Sequence, residues 1–187
     1  MKKIALLLLA VLCILAFVAC ADSPEVTRVE NDATIENSAT EEVGEAAETP
    51  HNVATVGQTL DRGGIQFTFE RAERYVDESD FVMDVAADGY EFILLWFAVH
   101  NTTDESYHIN MFSERSYLDG VSTSPVLLLF GVDGDTLWGD VSADRTRIGF
   151  IGYEVPIGWS EIEFRYVPFL AGDDSALIFT VTPADVS

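Results

Sequence analysis

Residues 90–101 read Tyr-Glu-Phe-Ile-Leu-Leu-Trp-Phe-Ala-Val-His-Asn (YEFILLWFAVHN), and this stretch decides the fold class. In an extended chain Phe92, Leu94, Trp96 and Ala98 fall on one face and Ile93, Leu95, Phe97 and Val99 on the other. Both faces are apolar, which is the pattern of a central strand covered on both sides. His100-Asn101-Thr102-Thr103-Asp104-Glu105 then ends it in a polar turn.

Moving outward, the neighbouring segments keep a strand period. Ile65, Phe67 and Phe69 alternate with Gln66, Thr68 and Glu70 behind an Asp61-Arg62-Gly63-Gly64 turn, so one face is buried and the other wet. Downstream come a strand over residues 107–112, a turn at Asp119-Gly120 and an apolar run over 126–130. Residues 148–155 and 162–166 form a hairpin-like pair around Pro156-Ile157-Gly158-Trp159, and Leu177, Phe179 and Val181 mark a last alternating strand. Seven or more short strands separated by Gly, Asp, Asn and Pro give an all-β chain, an immunoglobulin-like antiparallel β-sandwich. Residues 77–89 depart from that pattern. Ser79 caps a helical turn in which Phe81 and Val85 stack four apart, with Asp80 and Asp84 near its start, so a short acidic helical insertion is expected near 79–87.

The front of the chain has a different character. Lys2 and Lys3 precede an uncharged run over residues 4–21, the layout of a secretory signal. The run closes on Phe17-Val18-Ala19-Cys20, which resembles the lipobox of bacterial lipoproteins, with Phe17 where Leu is usual. That resemblance implies a diacylglycerol on the Cys20 sulfur, cleavage before it and acylation of the new amine. Ala19-Cys20-Ala21 also fits ordinary signal cleavage, and residues 4–21 also approach the length of an uncut span. Residues 22–50 hold nine acids against Arg28 alone and no aromatic side chain, and are expected to form a disordered tether. As a flexible coil the tether would reach about 30 Å. The domains expected are therefore a leader over 1–19, a lipidated tether over 20–50 and the sandwich over 51–187.

Two cysteines exist, Cys13 in the leader and Cys20, which leaves no thiol for disulfide or redox chemistry in the sandwich. Net charge is −22, and two units more negative once Lys2 and Lys3 leave with the leader. Such a field repels phosphate backbones and anionic lipid, excluding nucleic acid and leaving proteins, peptides and cationic ligands as partners alongside the membrane reached through the lipid anchor. The sequence gives no oligomeric state.

Two segments resemble an immunoglobulin-like domain of unknown function that recurs in lipoproteins of Gram-positive bacteria. One is Tyr90–Asn101 with the polar turn that follows, and the other is residues 149–156 (GFIGYEVP), a Gly-containing strand closing on Val-Pro, followed by Ile162–Tyr166. The resemblance covers residues 55–181 and extends to small secreted mycobacterial immunoglobulin-like proteins. It implies a sandwich, a membrane-anchored extracytoplasmic location and no particular activity. The segments 77–89 and 126–147 depart from the shorter versions of the pattern.

Catalytic signatures are not found. The sequence has no Gly-x-Ser-x-Gly elbow around Ser160 or any other serine, no phosphate loop, and no zinc spacing among His51, His100 and His108. The chain is accordingly expected not to be an enzyme, and to need no cofactor beyond the diacylglycerol at Cys20. One cation site is conceivable: Asp133, Asp135 and Asp140, on a Gly-rich loop, could offer oxygen ligands to calcium, although the full calcium-loop pattern is missing and a turn with solvated acids explains them too. Trp138 and Trp159 sit in loops and are the candidate binding anchors, or else the caps of the core. The expected role is a non-enzymatic binding or accessory module, with a calcium-binding or structural envelope protein as the alternative.

Overall fold

The twelve-residue strand lies inside its sheet, paired with another strand on each side. The computed structural model describes residues 25–29, 52–78, 84–128, 132–168 and 175–187. Its strands are β1 (Val26–Val29), β2 (Val53–Ala54), β3 (Thr59–Arg62), β4 (Ile65–Tyr75), β5 (Tyr90–Asn101), β6 (Tyr107–Ile109), β7 (Glu114–Leu118), β8 (Val121–Thr123), β9 (Gly139–Val141), β10 (Arg145–Pro156), β11 (Ile162–Tyr166) and β12 (Leu177–Val181). One sheet runs β1-β3-β4-β5-β10, the other β2-β12-β11-β7-β8, and β6 pairs with β9. All pairings are antiparallel except β2 with β12. With β4, β5 and β10 as A, B and E and β7, β8, β11 and β12 as C, C′, F and G, this is the immunoglobulin-type strand order.

Burial follows the alternation. Ile93, Leu95, Phe97 and Val99 of β5 join Phe67, Phe69, Phe164 and Phe179 in the core between the sheets. Phe97 is the hub, with ring centroids 5.0–5.1 Å from Phe69, Phe164 and Phe179. Phe92, Leu94 and Trp96 point the other way into a smaller cluster with Leu128 and Phe150, under Tyr75, Ala86, Val126 and Val132. The two segments that lengthen this chain therefore supply the cover over the outer face of β5. Along the exposed edge of β10, the Val126 amide donates to Gly152 and the Leu137 amide to the Phe150 carbonyl, which protects an edge that would otherwise invite pairing. Gly149 and Gly152 permit that approach: a Cβ on Gly149 would lie 2.7 Å from the Leu137 Cα, and one on Gly152 would lie 2.8 Å from the Leu128 side chain.

The β4 sequence IQFTFERAERY cannot keep one face apolar without a break. A bulge between Phe69 and Arg71 resolves it: Ala72 stays inward opposite Leu95, while Arg71 and Glu73 lie opposite Trp96 and Leu94. The Arg71 guanidinium stacks 4.2 Å above the Trp96 ring and Glu73 accepts the indole N–H at 2.8 Å. Both two-residue turns read from the sequence are present. Gly63 and Gly64 have positive φ in the β3–β4 hairpin, as have Asp119 and Gly120 in the β7–β8 hairpin, the primed geometry that strand twist favours.

Four expectations are corrected. Residues 148–155 and 162–166 are not a hairpin: β10 pairs with β5 and β11 with β7 and β12, so the Pro156-to-Trp159 turn crosses between sheets. Alternation identifies strands without naming their partners. The strand expected over 107–112 stops at Ile109, where Asn110 caps a single 3-10 turn, Met111–Ser113, by accepting the Phe112 amide at 2.9 Å. Of the expected helical insertion, residues 79–83 lie outside the described residues and 84–89 form a loop in which Val85 is exposed. Finally, Val26–Val29, inside the expected tether, is a strand in register with β3, from Val26 opposite Arg62 to Val29 opposite Thr59, with Val26 in the core. The folded unit thus starts well before residue 51, and the acidic run over 30–51 connects two strands of the same sandwich.

Candidate functional site

The loops at the two ends of the sandwich hold its crevices. At the end where β5 begins, Tyr75 and Phe92 pack with ring centroids 6.3 Å apart and floor a crevice of about 210 Å³. Val76, Val85 and Tyr90 form its exposed apolar lip, and Ile157, 70% exposed, is tied to the same loop because its amide donates to the Gly89 carbonyl at 2.8 Å. Asp77, Asp84, Glu91 and Arg74 supply the charge. Asp77 is buried and accepts the Asp84 amide at 3.3 Å, which folds the two acids against the floor. Burial and the nearby Asp77 and Asp84 charges push the Tyr75 phenol above its ordinary range. Glu91 goes the other way: hydrogen bonding from Arg74, and from the Trp159 indole at 3.1 Å, holds its carboxyl below the usual range. The site offers apolar surface beside fixed carboxylates, a combination that recognises a cation attached to an apolar group.

At the opposite end, Arg62, Gly63, Ile65, Thr103, Glu105, Ser106, Tyr107 and Pro168 surround a crevice of about 300 Å³. Asn101 builds its rim. The buried amide donates to the Glu105 and Val141 carbonyls at 2.7 and 2.9 Å and accepts from the Thr103 amide and hydroxyl at 3.0 and 2.7 Å. The polar turn read from the sequence is thus closed on a side chain whose hydrogen-bonding capacity is filled.

The residues singled out from the sequence are dispersed. Trp159 is 4% exposed and belongs to the main core, so it caps the sandwich rather than anchoring a partner, and Trp138 is half-buried against that core. Asp133 and Asp135 are exposed around Gly134, where a Cβ would come within 2.5 Å of the Trp96 ring; the glycine serves packing. Asp140 lies on β9 with its carboxylate 2.6 Å from His108 Nδ1. Among the described residues no three carboxylate, imidazole or thiol groups gather around one point, so the calcium ligand set of Asp133, Asp135 and Asp140 is not assembled. His100 meets the Thr146 hydroxyl at 3.0 Å, away from His108's partner, and exposed Ser160 donates its amide to Asp119. Cys20 and His51 lie outside the described residues.

Between the sheets, Tyr153 places its hydroxyl 2.6 Å from Ser116 Oγ, which donates to Glu114. Burial pushes both the Glu114 carboxyl and the Tyr153 phenol up. Ser116 and Tyr153 are buried and Glu114 is half-buried, and the trio ties the two sheets together. The crevice by Tyr90 was not legible beforehand. Tyr90 reads as the first residue of an apolar strand, and nothing in the linear pattern separates it from the core positions beyond it.

Two solved structures, both from Bacillus subtilis, share the fold. A Bacillus subtilis protein, ycdA, taken to be a lipoprotein, aligns at 17% identity and a TM-score of 0.51 over 65% of this chain and 37% of its own, so this chain spans little more than a third of that protein. The yjhA protein of Bacillus subtilis aligns at 18% identity and a TM-score of 0.51 over 68% of this chain and 98% of its own. An uncharacterized β-sandwich protein of Clostridium difficile aligns at 13% identity and a TM-score of 0.44 over 79% of this chain and 100% of its own. None of the curated proteins matches the chain. Residues 54–176, which run from the end of β2 to the residue before β12, match the family described as Domain of unknown function (DUF4352), and the chain belongs to that family.

Proposed function

We propose that this chain is an exported lipoprotein, held by diacylglycerol on Cys20 to the extracytoplasmic face of the cell membrane, and that its sandwich is a non-enzymatic binding module. The anchoring half is supported by the charged start, the apolar run ending on Cys20 and the likeness of the fold to ycdA. No helix among the described residues is long and apolar enough to cross a membrane. The immunoglobulin-like hallmarks, suggestive of Gram-positive lipoproteins and their small secreted mycobacterial counterparts, belong to the same reading.

The crevice by Tyr90 is the observation that carries the binding half. Its exposed Val76, Val85 and Tyr90 stand beside Asp77 and Asp84, while Arg74 in the same lining is taken up by Glu91, so the charge left over is negative and its ligand is a peptide or protein segment presenting a cation next to an apolar group. A short peptide alternating Arg and Phe is the probe. Its titration against the exported chain should saturate and weaken as salt is raised, and the combined change Val85→Ser, Tyr90→Ala and Asp84→Asn should loosen it by about tenfold or more. Affinity unchanged by that triple substitution would remove the crevice from consideration.

A further inference from the structure

We infer that the single turn Met111–Ser113 is a membrane-contact element: the bilayer that holds the Cys20 lipid also takes up Met111 and Phe112, and this fixes the sandwich with its Tyr90 crevice pointing away from the surface. The inference rests on the lipid anchor proposed above and adds to it an orientation and a second point of contact.

The covalent chain supplies the first constraint. Only five residues separate Cys20 from Val26, so the lipidated sulfur lies within about 22 Å of the sheet even at full extension. Val26 pairs with Arg62, the last residue of β3, beside the Gly63-Gly64 turn and the Asn101 turn that is tied to it through the Thr102 amide and the Gly64 carbonyl. This end of the sandwich is therefore the one beside the lipid. Tyr90 stands at the other end of β5, about 36 Å away along twelve residues of strand.

Exposure supplies the second constraint. Phe112 is 86% exposed, the highest value for a large hydrophobic residue among the described residues, and its neighbour Met111 is 55% exposed. Both precede β7, whose first residue Glu114 pairs with Tyr166, and Tyr166 packs 4.9 Å from Phe67, two residues from the Ile65 end of β4. They thus lie at the lipid-proximal end. Their backbone is firmly held: the Asn110 side chain takes the Phe112 amide, the Ser113 amide donates to the Asn110 carbonyl at 3.0 Å, and the Ser113 carbonyl accepts from Val167 at 2.7 Å. A fixed turn that presents an aromatic and a thioether side chain outward matches the apolar side chains that interfacial elements bury at the headgroup boundary, where a lipid chain and a second contact together give stable binding. Asp104, Glu105 and Asp144 are exposed at this end beside Arg115 and Arg145, so its charge is mixed and the surface that suits it is zwitterionic.

The test uses the lipidated exported chain, in which Cys13 has left with the leader and the Cys20 sulfur is a thioether, so an introduced cysteine is the one free thiol. A single cysteine replaces Met111 in one sample and Ile157 in another, each is labelled with an environment-sensitive dye, and both are reconstituted in phosphatidylcholine vesicles with or without brominated acyl chains. The Met111→Cys label should shift to the blue and be quenched by the brominated lipid, less so when Phe112→Asp is added, while the Ile157→Cys label should do neither. Vesicle flotation is read first on the same samples, with Cys20→Ala as the unanchored control. Failure of the lipidated chain to float overturns the anchor and this inference together. Flotation with an unquenched Met111→Cys label overturns this inference alone, as does a blue shift without bromine quenching, which would mean that protein covers the turn, or equal quenching at both positions.

Discussion

Asn101 shows how much one side chain can settle. Its amide is buried and makes four hydrogen bonds, two donated and two accepted, that close the turn after β5 and reach the Val141 carbonyl at the end of β9. Removing it takes the side-chain donor away from the carbonyl of buried Val141, while the carbonyl of exposed Glu105 keeps the Thr103 hydroxyl at 3.1 Å. Asn101→Ala should therefore lower unfolding free energy by about 1–3 kcal/mol in urea denaturation. Asn101→Asp should cost a comparable amount, because a carboxylate cannot donate to those carbonyls. A loss below about 0.5 kcal/mol for both would mean that the turn closes without this residue. The position was legible as the end of a strand and the start of a polar turn. Its partners were legible only in part, since Thr103 and Glu105 are local while Val141 is reached only through the fold.

At the scale of elements, β10 shows why its glycines recur. The segment that crosses from β8 to β9 lies against this strand so closely that a Cβ on Gly149 would meet backbone atoms of Thr136 and Leu137, whereas one on Gly152 would meet the end of the Leu128 side chain. Backbone cannot step aside and a leucine can rotate. Gly149→Ala is thus expected to destabilise by about 2–3 kcal/mol and Gly152→Ala by about 1 kcal/mol, read as thermal or urea unfolding of the two variants side by side. Equal costs would show that the segment does not seat on β10 in this way. The sequence announced the existence of most strands: two apolar faces in β5, alternation in β11 and β12, and glycine turns before β4. Partners were harder to read. β10 and β11 look like a hairpin because they are consecutive and alternate, yet Pro156 and the buried ring of Trp159 carry the chain over to the other sheet. Trp159 was visible as a loop aromatic, and only packing could tell a core plug from an exposed anchor.

For the whole molecule, the question is where the folded unit starts relative to the lipid. Composition favoured a long acidic tether, because residues 22–50 contain little apolar surface and four residues of β1 do not establish a period. What recruits them is the free edge of β3, on which Val26 enters the core and Arg28 donates to the Val53 carbonyl. The consequence reaches the proposed function, since with a lipid on Cys20 a domain that begins at β1 would sit directly on that anchor with the Tyr90 crevice outward, while one that begins after residue 50 would turn freely. Hydrogen exchange of the exported chain, followed in a peptide that covers residues 25–29, decides between them. Integration of β1 requires that the amides facing β3 be protected well above the rates of an open chain and lose that protection when Val26→Asp removes the core contact. Exchange across 25–29 at open-chain rates would contradict the account.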